Sequence, residues 1–210
     1  MRAESVVKYY VFNNKLKHLI RKGWLQWNVN RERVESVAEH IYGVEALAIA
    51  MASEYEYDID LYKVIMMIAV HELEEIFIGD LTAWEISKEE KIRLGHEAVR
   101  KVLGELLIKD KLEELVLEFD ERKTKEAIFA YHCDKLECDI QCKLYDEEAC
   151  VDLNNLSGNN PSLSDPRVQE LLHSGYSWSK MWLNYDKNKY MDDENFLEVL
   201  EYVENNDISI

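Results

Sequence analysis

Apolar residues recur along this chain at intervals of three and four, the spacing that places them on one face of an α-helix. The pattern is strongest over 36–53, where Val37, Ile41 and Val44 are apolar, and it returns over 60–78. The same spacing predicts further helices over 5–22, 87–106, 110–120, 124–150, 166–185 and 193–204. The hydrophobic pattern therefore predicts an all-α fold.

Residues that interrupt secondary structure are scarce. The chain has 7 Gly and 2 Pro among 210 residues, far below average usage of about 7% and about 5%. An all-β sandwich needs many tight turns, so this composition argues against one. Gly23 is predicted to end the first helix. Ser87 with Glu90, and Asp165 with Pro166, are predicted to open later helices.

Length and composition predict one domain. A domain typically has roughly 150 residues, and 47% hydrophobic residues are enough for a normal core. The clearest loop covers 153–165, and no linker divides the chain. We therefore expect a helical core over 1–152, with the loop and helices of 153–210 packed on it in the same domain.

The charge balance narrows the function further. With 25 basic and 42 acidic residues the net charge is −17, which disfavours binding to nucleic-acid phosphates or to anionic membranes. The longest apolar run, Val64 to Val70, is far shorter than the ~20 residues of a membrane span. Residues 1–5 do not open a signal peptide. We predict a cytoplasmic protein that contacts neither nucleic acid nor membrane.

Ionisable side chains interrupt the apolar faces of three predicted helices. His40 lies on the apolar line of the second helix, and His71, Glu72 and Glu75 end the apolar third helix. Asp134 interrupts the apolar face of the long helix over 124–150. Burial of uncompensated charge is costly, and a bound cation would compensate it. Imidazole and carboxylate ligands suit Mn, Fe, Co, Ni, Zn or Mg.

Spacing argues against several other sites. Position 75 is Glu, so the second histidine of a zinc-protease motif is missing. A di-iron bundle needs two Glu-x-x-His repeats, and the chain has one, Glu170 to His173. Walker A and Gly-x-Ser-x-Gly motifs are also missing. The residues themselves leave open a core histidine at position 40 and an exposed end for the third helix.

In this order, a histidine, a His-acid pair and a later Asp resemble the HD-domain phosphohydrolases. The segments Glu35–His40, His71–Asp80 and Cys133–Glu137, preceded by Arg21–Trp24, look like the branch of bacterial 5′-deoxynucleotidases and their eukaryotic relatives. The resemblance implies an HD-domain helical bundle, a small phosphate ester as substrate and a homodimer.

The resemblance also implies a ligand set for one divalent metal ion. Its members are His40, His71, Glu72 and Asp134. The family usually has a His-Asp pair where this chain has His71 and Glu72. The glutamate is one methylene longer, which alters the metal preference or weakens the site.

Catalytic and substrate-binding roles follow from the same resemblance. It implies that Glu75 assists catalysis, that Asp80 contacts the substrate or acts as an acid, and that Arg21 orients the phosphate. The implied substrate-binding residues are Arg21, Trp24, Asp80, Leu81 and Thr82.

The resulting hypothesis is metal-dependent hydrolysis of (deoxy)nucleoside 5′-monophosphates to nucleoside and phosphate. Two alternatives stay open: hydrolysis of (p)ppGpp or nucleoside triphosphates, and a metal or nucleotide sensor without catalysis. Additional phosphates usually need additional basic side chains. Few of these lie near the motifs, namely Arg21, Lys22, Arg31 and Arg33, so a monophosphate is favoured.

Overall fold

A computed structural model describes residues 1–82, 84–156 and 158–209, and its regular structure is helical. The helices are α1 (Arg2–Asn13), α2 (Lys22–Gln26), α3 (Val37–Glu54), α4 (Leu61–Ile68), α5 (Glu75–Ile78), α6 (Lys88–Leu103), α7 (Lys109–Glu121), α8 (Lys125–Glu147), α9 (Pro166–His173), α10 (Trp178–Asp186) and α11 (Glu194–Asn205). The all-α prediction is confirmed. Within the described ranges, no helix has the length and apolar character needed to cross a membrane.

Side-chain caps explain why several helices begin where the sequence predicts. At the start of α3, the Glu39 amide donates to Ser36 Oγ at 3.3 Å and the Ser36 amide donates to Glu39 Oε2 at 2.9 Å. Ser87 accepts the Glu90 amide at 3.2 Å and so caps α6. Each cap pairs a backbone N–H that has no partner inside the helix.

The prediction of one helix over 5–22 is wrong. The regular helix ends at Asn13, a 3-10 turn covers Asn14–Lys17, and Gly23 lies inside α2 instead of ending a helix. The reason is non-local pairing, because the Arg21 amide donates to the Glu35 carbonyl at 3.0 Å. The segment before α2 thus bonds to the residues that precede α3.

Two other predicted helices are interrupted. Between α4 and α5 the backbone tightens to bonds between residues three apart, such as the Val70 amide to the Met67 carbonyl at 3.2 Å. The helix predicted over 166–185 is divided between α9 and α10 near Gly175, whose φ of 75° is favourable for glycine.

The chain forms two compact units. The first comprises Met1–Lys22 and Glu35–Cys133. Aliphatic side chains build its core: Leu16, Val37, Val70, Leu73, Ile76, Val99, Val102, Leu103, Leu112 and Val116.

The second unit comprises Gly23–Val34 and Asp134–Ile210. Aromatic side chains dominate its core: Trp24 and Trp27 pack against Trp178, with ring centroids 5.9 Å away in both pairs. The proposed boundary between a core over 1–152 and a C-terminal part over 153–210 stays a prediction.

Candidate active site

Four buried side chains from separate parts of the sequence bring their ligand atoms together. His40 comes from α3, and His71 and Glu72 come from the turns between α4 and α5. Asp134 follows Cys133, the last residue of the first unit, within the continuous helix α8. One ligand atom from each residue lies within 4.8 Å of the other three. The structure thus gathers the four residues predicted as metal ligands.

The turn after α4 sets the orientation of the His71 ring. His71 Nδ1 lies 2.6 Å from the Ile68 carbonyl oxygen. Because a carbonyl only accepts, the hydrogen of the ring sits on Nδ1, and Nε2 of the neutral ring then carries a lone pair. Glu72 Oε1 lies 3.6 Å from this Nε2 and 3.7 Å from His40 Nε2. A backbone carbonyl in this position is a common support for a metal-binding histidine.

The donor set fits a divalent cation. Two imidazoles and two carboxylates offer nitrogen and oxygen ligands of the kind that borderline divalent metals bind. The four residues are buried, with at most 8% of each exposed, and uncompensated negative charge is unfavourable there. The interpretation of His40 as an ordinary core histidine does not account for three further ionisable groups around it.

Arg21 lies beside this cluster. Its Nη1 is 3.2 Å from Glu72 Oε1, and its Nε is 3.8 Å from Asp80 Oδ2. Only 14% of the Arg21 side chain is exposed. The structure therefore brings the predicted phosphate-binding arginine next to a predicted metal ligand and to the predicted substrate contact Asp80.

Glu75, the first residue of α5, is a buried carboxyl group with 2% exposure. Neither carboxylate oxygen has a hydrogen-bond partner among the described residues. Burial, followed by the charges of Glu72 and Asp80, raises the pKa of Glu75 well above its usual range. A buried carboxyl group with a raised pKa is typical of a general acid or base.

The segment Asp80–Thr82 follows a turn at Gly79, whose φ is 76°. Asp80 Oδ2 accepts the Lys22 amide at 2.7 Å. The Thr82 amide and hydroxyl donate to Glu85 Oε2 at 3.1 and 2.9 Å. Leu81 and Thr82 are half-buried. The Lys22 backbone therefore holds Asp80, and the Glu85 carboxylate holds Thr82.

Trp24 belongs to the aromatic core of the second unit. Its ring lies edge-to-face with Tyr145 at 5.4 Å and with Trp178 at 5.9 Å, and 8% of the residue is exposed. The observed contacts are core contacts. The role of Trp24 in a nucleoside pocket stays a prediction.

Sequence reasoning missed two charged residues beside the predicted catalytic groups, Glu74 and Lys91. Burial and then the Glu72 charge raise the pKa of Glu74 to about 8. Positions 72–75 contain three glutamates directly after an apolar helix, and this clustering could have singled out Glu74. Lys91 had no such signal, because only tertiary packing distinguishes it from other lysines of its helix.

Residues 13–172 match the family described as HD domain. The matched segment includes the four residues predicted as metal ligands as well as Arg21, Glu75 and Asp80, and it covers more than half of the chain. The chain belongs to the HD domain family.

Named relatives narrow the comparison. The 5′-deoxynucleotidase HDDC2 of Dictyostelium discoideum is 31% identical over 152 residues, which are 69% of this chain and 79% of that protein. The human 5′-deoxynucleotidase HDDC2 is 30% identical over 149 residues, 69% of this chain and 70% of its own.

Solved structures share the fold. A conserved hypothetical protein from Pyrococcus furiosus aligns with a TM-score of 0.65 and 25% identity, over 94% of this chain and 98% of that one. A "predicted metal-dependent phosphohydrolase" from Magnetospirillum magnetotacticum aligns with a TM-score of 0.64 and 19% identity, over 96% and 90%. At 19% identity the second match supports the fold alone.

Proposed function

We propose that this protein is a metal-dependent phosphohydrolase that converts (deoxy)nucleoside 5′-monophosphates to nucleoside and phosphate. The observation that carries the proposal is the buried cluster of two imidazoles and two carboxylates beside Arg21 and Glu75. The proposed metal ligands are His40, His71, Glu72 and Asp134. The 5′-deoxynucleotidase relatives support the substrate class.

Each residue beside the cluster has a chemical role in this proposal. A divalent ion held by the four ligands would act as a Lewis acid toward a phosphoryl oxygen. Glu75 accepts a proton from the water that attacks phosphorus, and Arg21 binds the phosphate through its guanidinium group. Asp80 contacts the sugar and gives a proton to the oxygen that leaves when its bond to phosphorus breaks, so that the product is a nucleoside hydroxyl group. These roles suit Glu75, whose pKa is raised, Arg21, which is a cation, and Asp80, which directly follows the turn at Gly79.

The pairing of cations that lie close to the motifs in the sequence favours a monophosphate over a longer phosphate chain. The Lys22 ammonium pairs with Glu85, and the Arg31 guanidinium pairs with Glu148 at 3.2 Å. Their charges are therefore already balanced. A triphosphate or (p)ppGpp would need cations for its additional phosphates, which makes these substrates the alternatives to be tested.

The ligand set also suggests a metal preference. Imidazole nitrogens suit Mn, Fe, Co, Ni or Zn, whereas Mg prefers oxygen ligands and retains water. We propose that one of the first five ions supports the highest rate and that Mg supports a lower one.

The test is phosphate release from a substrate panel by chelator-treated protein supplied with each metal in turn. The panel contains deoxyribo- and ribonucleoside 5′-monophosphates, nucleoside triphosphates and (p)ppGpp. We expect release from monophosphates only with metal, loss of release in His71→Gln, and retention in His173→Gln, a change at an exposed histidine of α9. Release only from nucleoside triphosphates or (p)ppGpp would contradict the proposal. No release from any substrate despite a bound ion would also contradict it and would favour a metal or nucleotide sensor without catalysis.

We also propose that the protein is a cytoplasmic homodimer that binds neither nucleic acid nor membrane. The net charge of −17 supports the absence of polyanion binding. Helix α1 has no buried residue and exposes Val6, Val7, Tyr10 and Val11, an apolar surface suited to a second copy. Light scattering should give twice the chain mass of 24.8 kDa; the mass of one chain would contradict the dimer.

A further inference from the structure

Lys91, in the first turn of α6, joins that helix to the segment that precedes it. Its Nζ donates a hydrogen bond to the Leu81 carbonyl oxygen at 3.1 Å. The side chain is half-buried. Leu81 lies between Asp80 and Thr82, so this bond fixes the backbone at the middle of the predicted substrate-binding segment.

The packing of α6 explains why Lys91 reaches this position. Lys91 and Gly95 are four residues apart and therefore lie on one face of the helix. A Cβ atom on Gly95 would lie 3.4 Å from Cβ and Cγ of Glu74. The absence of a side chain at Gly95 lets this face of α6 lie directly against Glu74, in the acidic turn over 72–75.

The surroundings of Lys91 are strongly acidic. Burial lowers the pKa of Lys91, but the charges of Glu72, Glu75, Glu74 and Asp80 together raise it above its ordinary value of 10.5. The ammonium group is therefore charged at neutral pH. It opposes part of the repulsion among carboxylates, of which Glu74 Oε2 is buried and has no hydrogen-bond partner in the described chain.

The segment Asp80–Thr82 has a second attachment, through Lys22. Lys22 donates its amide to Asp80 Oδ2, and its ammonium pairs with Glu85. Glu85 in turn accepts the amide and hydroxyl of Thr82. Both Lys22 and Lys91 thus hold the segment.

We propose that Lys91 is a positioning residue for the active site: it fixes Asp80–Thr82 through the Leu81 carbonyl and balances the acidic turn with its charge. The structural part of this inference is independent of any reaction. Its catalytic consequence rests on the proposed function.

The structural test is amide hydrogen exchange in the metal-free protein. Lys91→Met removes the bond and the charge, Lys91→Arg keeps a charged donor, and Lys101→Met makes the same change at an exposed lysine of the same helix. We expect Lys91→Met to accelerate exchange of the Thr82 and Glu85 amides about 10-fold, because it removes a hydrogen bond from a charged donor. Lys91→Arg should restore much of the protection. Exchange in Lys91→Met equal to that in Lys101→Met would overturn the proposal.

The catalytic test separates substrate binding from turnover. With a nucleoside 5′-monophosphate, Lys91→Met should raise KM about 10-fold because it removes a cation from an acidic site. Lys91→Arg should restore KM, and the bound metal content should be the same in both variants. A KM in Lys91→Met equal to that of wild type would overturn the catalytic part. If the wild type released no phosphate, the proposed function would fail while the exchange result still decided the structural part.

A measurement on the wild-type protein tests the proposal even if Lys91→Met does not fold. Mild reductive methylation followed by mass spectrometry gives the relative reaction rate of each lysine. We expect Lys91, half-buried and hydrogen-bonded, to react more slowly than Lys101. Equal rates would show that the ammonium group is not held and would overturn the proposal.

Discussion

Replacing Glu75 by glutamine separates the catalytic role of this residue from its effect on stability. The amide has nearly the shape of the carboxyl group but neither its charge nor its basicity. Glu75 is 2% exposed, and no described residue bonds to its carboxylate oxygens. Loss of a general base typically lowers the rate by about 10²- to 10⁴-fold, so we expect kcat/KM to fall within that range.

The same substitution should stabilise the metal-free fold. Burial and the charges of Glu72 and Asp80 raise the pKa of Glu75. A carboxyl group with a raised folded-state pKa contributes stability at low pH and loses that contribution as the pH rises through the folded-state pKa. Glu75→Gln does not ionise, so its stability relative to wild type should rise with pH, by about 1.4 kcal/mol per pH unit between the unfolded-state and folded-state pKa of Glu75.

The assay combines phosphate release at matched metal occupancy with urea unfolding of the metal-free protein at pH 6 and pH 8. Glu105→Gln, a change at an exposed glutamate after α6, is the control for loss of one negative charge. An unchanged kcat/KM in Glu75→Gln would refute the role as a base. A difference in stability between variant and wild type that is the same at pH 6 and pH 8 would refute the electrostatic reasoning.

Three further predictions follow from other contacts. Arg21→Ala should lower kcat/KM by about 10²- to 10³-fold, the usual effect of losing a donor to a reacting oxyanion, and Arg21→Lys should restore part of it; equal rates in Arg21→Ala and wild type would contradict this. Glu72→Asp shortens by one methylene a proposed metal ligand, whose carboxylate also pairs with Arg21. It should change the order in which the divalent ions bind, as measured by calorimetric titration; an unchanged order would contradict this. Burial and then the charge of Asp186 raise the pKa of Asp139 well above 3.8, so the contribution of Asp139 to the free energy of unfolding falls as the pH rises from 3.8 to its folded-state pKa. Asp139→Asn should keep the bond from Tyr190, 2.7 Å in wild type, and its stability advantage should grow by about 1.4 kcal/mol per pH unit; parallel pH profiles in urea unfolding would contradict this.

The spacing of apolar residues and the capping residues were sufficient to predict most helices of this chain. Helix α3 has both a regular apolar face and a reciprocal cap between Ser36 and Glu39, so its start follows from nearby residues alone. The break after Asn13 depends on bonds from the segment before α2 to residues around Glu35. Pairing between distant residues leaves no periodic signal in either segment.

The candidate ligands could be found because each interrupts an apolar face. That they lie together in the folded chain was predicted from the family resemblance. Apolar spacing alone did not predict it. The sequence also predicted His71 and Glu75 on one continuous helix, whereas the chain turns between Ile68 and Glu75. That turn places the Ile68 carbonyl against the His71 ring. Lys91 acquires its contact only when α6 packs on the acidic turn.

We propose that the His40, His71, Glu72 and Asp134 cluster binds one metal ion and that phosphate release requires this ion. To test this, chelator-treated protein is titrated with Mn²⁺ or Co²⁺, and bound metal and phosphate release from a deoxynucleoside 5′-monophosphate are measured in the same samples. We predict that release rises in proportion to bound metal and saturates at one ion per chain. Release that is independent of metal, or no release when one ion is bound to every chain, would contradict the claim.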